Sequence, residues 1–166
     1  VEIMNNWMEN LQSAIAYIEE NLTEDIKVRD VAEKAYVSEF HFQRIFSALC
    51  GISVGEYIRN RRMTVAAKEL AARDSKVIDV AMRYGYDSPD SFARAFQKFH
   101  GITPSQAKEP GANLKDFAPV RISVSLEGGT MMEYKNNYFQ KGKNYLFLIF
   151  SFRELWLMNI FDLICQ

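Results

Sequence analysis

Ser38-Glu39-Phe40-His41-Phe42-Gln43-Arg44-Ile45-Phe46 and Ser88-Pro89-Asp90-Ser91-Phe92-Ala93-Arg94-Ala95-Phe96 are one pattern written twice. Ser38/Ser88, Phe42/Phe92, Arg44/Arg94 and Phe46/Phe96 match at a constant offset of 50, and the match continues through Gly51/Gly101, Ile52/Ile102 and the hydroxyls Ser53/Thr103. Upstream, Asp30-Val31-Ala32 answers Asp79-Val80-Ala81 at an offset of 49, so the turn before the second serine is one residue longer. Self-similarity at a fixed spacing marks a duplicated structural unit. Here the unit is a short helix, a turn and a longer helix.

Outward from the repeat, Ser53 to Ala72 is rich in Ala, Arg and Lys and free of Pro, and the sequence predicts one helix there. From Glu56 to Ala72 it spans about 25 Å at 1.5 Å per residue, a strut able to hold two units near the ~34 Å spacing of successive major grooves. Before the repeat, Trp7, Met8, Leu11, Ala14, Ile15, Ile18 and Leu22 recur at helical spacing. Ile26 to Ala35 follows, with Val28, Val31 and Ala32 inward. Val77–Tyr84 and Pro89–His100 are two more helices, parted by Gly85-Tyr86-Asp87-Ser88. Thr103-Pro104-Ser105-Gln106 adds a short turn, with Thr103 capping and Pro104 at the first helical position. Val120, Ile122, Val124 and Leu126 alternate with Arg121, Ser123 and Ser125 as a strand does, and Gly128-Gly129 suits a turn. The expected fold is all-α, with two helix-turn-helix subdomains joined by a long linker helix, about seven helices in all. A short β segment and an apolar helical tail follow. The domains fall at 7–108 (first unit 27–50, linker helix 53–72, second unit 77–100), 111–135 and 136–166.

Each repeated helix separates into two faces. Phe42, Ile45, Phe46 and Leu49 form one apolar stripe, and Phe92, Ala95, Phe96 and Phe99 form its counterpart. Burying one Phe contributes roughly 1.5–3 kcal/mol, so the stripes fix each helix beneath the short helix before it. The opposite faces carry Phe40, Gln43, Arg44 and Ser47 in the first unit, and Ser91, Arg94 and Lys98 in the second. Arg bonds guanine at two points, Gln does the same with adenine, and an apolar ring meets a thymine methyl. Ser38 and Ser88 are N-cap candidates that bring the positive helix ends towards phosphate. Arg59, Arg61, Arg62 and Lys68 lie along the strut as positioning contacts to the backbone. Asp90 either accepts from a cytosine amine or caps its helix, and repulsion by phosphate favours the cap. Taken singly, each of these polar residues would suit a solvated helix face; the duplication of Arg behind a serine tips the balance to nucleic acid.

The composition permits this. The 166 residues are 48% hydrophobic and 25% charged, as in ordinary globular proteins. The net charge of −1 conceals a gradient: −5 over residues 1–37, +3 over 38–100 and +1 over 101–166. Cys50 and Cys165 cannot build a disulfide framework, and neither a secretory signal nor a run approaching the ~20 apolar residues of a spanning helix is visible, so a cytoplasmic protein is expected. No cofactor or metal is expected, since His41 and His100 stand 59 residues apart without ligand partners at zinc spacing. His41 is expected on a helix surface near DNA, and His100 at a helix C-terminus favoured by the dipole. Neither cysteine sits in a nucleophile context, so catalysis is not expected. A helical protein-interaction module would explain the helices and the apolar tail, but not two matching Arg-bearing helices.

The stretch Asp79-Val80-Ala81-Met82-Arg83-Tyr84-Gly85-Tyr86-Asp87-Ser88, followed by Ser91-Phe92, Arg94, Phe96, Gly101, Thr103 and Pro104, resembles the signature of the AraC/XylS transcription regulators. The resemblance covers about Trp7 to Lys108. It implies a domain that binds an asymmetric double-stranded DNA site as one chain, with one recognition helix in each of two adjacent major grooves. It also implies activation through RNA polymerase. Base-reading positions carried over from the family are Phe40, Gln43, Arg44, Asp90, Ser91 and Arg94, with Ser47 beside them; phosphate contacts fall to Ser38, Arg59, Arg61, Arg62, Ser88 and Lys98. Pro89 and Asp90 depart from relatives that carry long polar side chains there. A DNA-binding domain placed first is similar to the Rob-like subgroup, and residues 111–135 resemble the beginning of a GyrI-like small-molecule-binding domain. An effector is implied only by a complete domain of that kind. The stretch 144–166 matches nothing named, and the expectation is either a truncated regulator that has lost its sensor or a short regulator whose tail packs on the helices.

Overall fold

The computed structural model describes residues 2–72 and 75–121. Among them are six α-helices and one 3-10 turn: α1 (Glu2–Glu20), α2 (Val28–Lys34), α3 (Glu39–Cys50), α4 (Val54–Ala71), α5 (Val77–Arg83), α6 (Pro89–His100) and the turn Gln106–Lys108. The duplicated unit is α2–α3 and again α5–α6, with α4 between them. Thr103 Oγ1 accepts from the Gln106 N–H at 3.3 Å, as expected of a cap, but what it opens is a single 3-10 turn and not a seventh α-helix. The expected strand lies outside the described residues except for Val120 and Arg121, which have no regular secondary structure. The stretch 136–166 also lies outside them.

Helix boundaries follow local chemistry. Ser38, Ser53 and Ser88 are N-caps whose hydroxyls accept from the N–H three residues on, at His41, Glu56 and Ser91. Gly51 and Gly101 end the two recognition helices in the left-handed conformation at φ 69° and 86°, the usual glycine stop.

Two cores flank α4, which explains why this helix reads as strongly apolar on no single side. In the first core Leu11, Ile15 and Ile18 of α1 meet Val31 and Ala32 of α2, Phe42 and Phe46 of α3, and Tyr57 of α4. In the second, Met63, Ala66, Ala67 and Leu70 of α4 meet Val80 and Ala81 of α5 and Phe92 and Phe96 of α6. Phe42 and Phe92 occupy equivalent places, each fully buried and tilted against the Phe one turn on, at 5.8 and 5.5 Å between centroids. At 1.5 Å per residue α4 is about 27 Å long, and each half of it belongs to a different unit.

Candidate nucleic-acid interface

The side of α3 facing away from the core carries Phe40, Gln43, Arg44 and Ser47, all exposed, at the i, i+3, i+4, i+7 spacing of one helical face. Phe40 is 65% exposed, an unusual cost for a large apolar ring in a folded chain. The Arg44 guanidinium lies over that ring at 5.6 Å, which holds it extended by cation–π attraction. Gln43 Nε2 donates to Glu39 Oε1 at 3.1 Å, leaving the amide oxygen and one N–H. Ser38 caps this helix, and its first turn points backbone N–H groups outward with the positive dipole end behind them.

On α6 the equivalent face carries Asp90, Arg94, Gln97 and Lys98, all exposed. Arg94 Nε donates to the Asp90 carbonyl at 3.3 Å, so the guanidinium tip stays available. Gln97, absent from the expected readers, stands at the offset of 50 from Ser47 and is exposed on the same face, and that pairing is the sequence signal for it. Arg59 on α4 is also exposed.

Several expected contacts are corrected. Arg61 is buried, with only 7% of its side chain exposed, and cannot reach phosphate. Its Nε and Nη2 bind both oxygens of Glu19 at 2.7–2.9 Å, and Nη1 donates to the Phe117 carbonyl. A guanidinium fork matches a carboxylate in this way, so the residue is an internal brace. Arg62 is half-buried, and its Nε and Nη2 donate to the Leu22 and Glu24 carbonyls at 2.8 and 2.5 Å; it ties the α1–α2 loop to α4, which leaves only part of its guanidinium for phosphate. Ser91 is likewise committed: its hydroxyl donates to the Ser88 carbonyl at 2.8 Å, which makes it part of the cap. Asp90 is not the cap, a role taken by Ser88; it sits in the first turn, where its charge is favoured by the dipole. His100 is buried, where a dipole-favoured cation was expected. Nε2 lies 3.1 Å from the Met63 carbonyl and Nδ1 accepts from the Lys115 N–H at 3.2 Å. Burial holds its pKa below the ordinary 6.5, with Lys115 adding to the depression and the Met63 bond opposing it.

Burial pushes the Cys50 thiol up to about 12, so at neutral pH it is a packed side chain and not a nucleophile. Among the described residues no cluster of three or more His, Cys, Asp or Glu could hold a metal ion, and no helix is long and apolar enough to cross a membrane.

Two serine-capped helices, each presenting an Arg at the same place and both hung on one connecting helix, define a double helix-turn-helix DNA-binding domain. The helix-turn-helix domain family matches residues 31–109, and the HTH-type transcriptional activator AarP of Providencia stuartii is 41% identical over 95 residues, 57% of this chain and 70% of AarP. The chain belongs to the AraC/XylS family: it is a sequence-specific DNA-binding transcription regulator and not an enzyme. The regulatory protein SoxS of Escherichia coli strain K12 is 36% identical over 95 residues, covering 57% of this chain and 89% of SoxS. Among solved structures, the DNA-binding domain of AdpA, described as a global transcriptional factor and solved with a target DNA, superposes with a TM-score of 0.54 at 30% identity. That match covers 59% of this chain and 88% of the AdpA chain.

Proposed function

We propose that this chain is a transcription activator that binds one asymmetric site as a single molecule, with α3 and α6 in successive major grooves. The observation that carries this reading is the pair of exposed arginines, Arg44 and Arg94, on equivalent faces of two capped helices at opposite ends of α4. Phe40, Gln43, Arg44 and Ser47 read bases in one groove. Arg94 and Gln97 do so in the other, with Asp90 at a cytosine. The capped starts at Ser38 and Ser88, together with Arg59 and Lys98, hold phosphate. Base-edge contacts carry sequence information and phosphate contacts carry register. Activation is supported by the activator name of AarP, and it proceeds through contact with RNA polymerase in the cytoplasm. The helical DNA-binding part spans 7–108, and the segment 112–121 that follows it packs back onto these helices through Leu114, Phe117 and Val120.

The test is selection of bound fragments from genomic DNA by the intact chain, with Arg44→Ala and Arg94→Ala in parallel. Each substitution is expected to relax preference in a different half of one ~20-base-pair site and to cost about 1–3 kcal/mol there. If Arg94→Ala weakens all fragments equally, α6 is a phosphate clamp and not a reader. If no fragment is enriched, the proposal fails.

A further inference from the structure

Three polar or charged side chains are buried among the described residues: Arg61, Thr64 and His100. All three bond the backbone of the same short segment. Arg61 donates to the Phe117 carbonyl, the Phe117 N–H donates to Thr64 Oγ1 at 3.0 Å, and the Lys115 N–H donates to His100 Nδ1 at 3.2 Å. A fourth bond runs from the Val120 N–H to the Tyr57 hydroxyl at 3.2 Å. Tyr57, Arg61 and Thr64 lie at i, i+4 and i+7, so one stripe of α4 is devoted to this segment. The segment has no secondary structure of its own, and these side chains satisfy backbone groups that a sheet or helix would otherwise pair.

The apolar contacts give the arrangement its direction. Leu114 packs into the second core, whereas Phe117 and Val120 pack into the first, Phe117 edge-on against Tyr57 at 5.9 Å. His100 belongs to α6, and Glu19, which accepts from both Tyr57 and Arg61, belongs to α1. The segment therefore crosses from one helix-turn-helix unit to the other along the helix that joins them. Buried polar groups are costly unless paired; Thr64 Oγ1 meets the Phe117 N–H, while Arg61 and His100 divide their bonds between this segment and Glu19 or the Met63 carbonyl.

We propose that residues 112–121 are a strap that fixes how the two recognition helices stand relative to each other, with Tyr57, Thr64 and His100 as positioning residues. The strap makes two-groove binding a single event, because a fixed spacing avoids the ordering cost that a loose pair of readers meets on each encounter. It rests on the two-groove reading only for its consequence on DNA.

The test uses the full chain with Cys50→Ala and Cys165→Ala, carrying spin labels at Glu33→Cys on α2 and Asp79→Cys on α5, both exposed. Inter-label distances are compared in the parent, in Thr64→Val and in Tyr57→Phe/Thr64→Val, with amide exchange reporting release of the Phe117 and Val120 N–H groups. The parent is expected to give one narrow distance, Thr64→Val a broader one and the double variant the broadest. An unchanged distribution while the amides exchange freely overturns the strap. If the double variant loses helix content, Thr64→Val alone decides. In the DNA arm, the double variant without labels should lose about tenfold in affinity for the complete site, tolerate altered half-site spacing, and bind a single half-site as the parent does. Equal loss on whole and half sites would mean general destabilisation and overturn the proposal. Failure of the parent to select any DNA would count against the DNA site, while the distance measurement still decides the strap.

Discussion

The two helix-turn-helix units share a plan and differ in the turn and in the reading face. In the first, the Val37 N–H closes onto the Ala32 carbonyl at 3.2 Å around Tyr36; in the second, the Tyr86 N–H closes onto the Ala81 carbonyl at 3.0 Å around Gly85. The residue at each centre is left-handed, at φ 56° for Tyr36 and 81° for Gly85. Only then does the second unit insert Asp87, which accounts for the change of offset in the sequence. The faces diverge more. The first offers an exposed ring, an amide, a guanidinium and a hydroxyl, and the second replaces Phe40 and Gln43 with Asp90 and Ala93. Packing positions have been kept equivalent while the reading positions have drifted apart, as expected if cores answer to shape and readers to different bases.

The largest test of the equivalence is in the cores. Phe42→Ala and Phe92→Ala should each destabilise by about 3–5 kcal/mol, read as the loss of denaturant midpoint in equilibrium unfolding. A cost at one position less than half that at the other would break the symmetry. Next come the turns, where opposite signs are expected. Gly85→Ala imposes the left-handed penalty and puts a Cβ 3.2 Å from Arg62 Nη1, which must yield; a loss of about 1–2 kcal/mol follows. Tyr36→Gly removes the same strain from a side chain 83% exposed, and even after the entropy of glycine should gain about 0.5–1 kcal/mol. A loss from Tyr36→Gly would mean that the ring packs on something of its own.

The smallest effect concerns pH. His100 is held neutral in the second unit, with its pKa below the ordinary 6.5. Above that value neither folded nor unfolded chain carries the proton, and its contribution to stability is complete. As pH falls below it, the unfolded chain takes up a proton that the folded one resists, and stability declines. Melting temperature should therefore fall from about pH 7.5 to about pH 5.5, and less so in His100→Gln. Equal falls in both proteins would show that His100 does not drive the change.

These contrasts explain what the sequence disclosed. The repeat, the serine caps and the Phe stripes were all legible, because periodicity and capping are local. Arg44 and Arg94 were legible as a matched pair. The fate of Arg61 was not: a guanidinium on an Ala-rich helix looks the same whether it faces phosphate or a carboxylate, and its partner Glu19 stands 42 residues away. Arg62 and His100 escaped for the same reason, since their partners are backbone carbonyls or amides from distant segments. The strap was invisible because its bonds join backbone to side chains and leave no periodic trace.

The most direct measurement of the central claim is hydroxyl-radical footprinting of a selected site by the intact chain, with stoichiometry measured on the same complex. One chain should protect two patches on one face of the duplex, about one helical turn (~10 base pairs) apart. A single protected patch, or two chains on a palindrome, would contradict it.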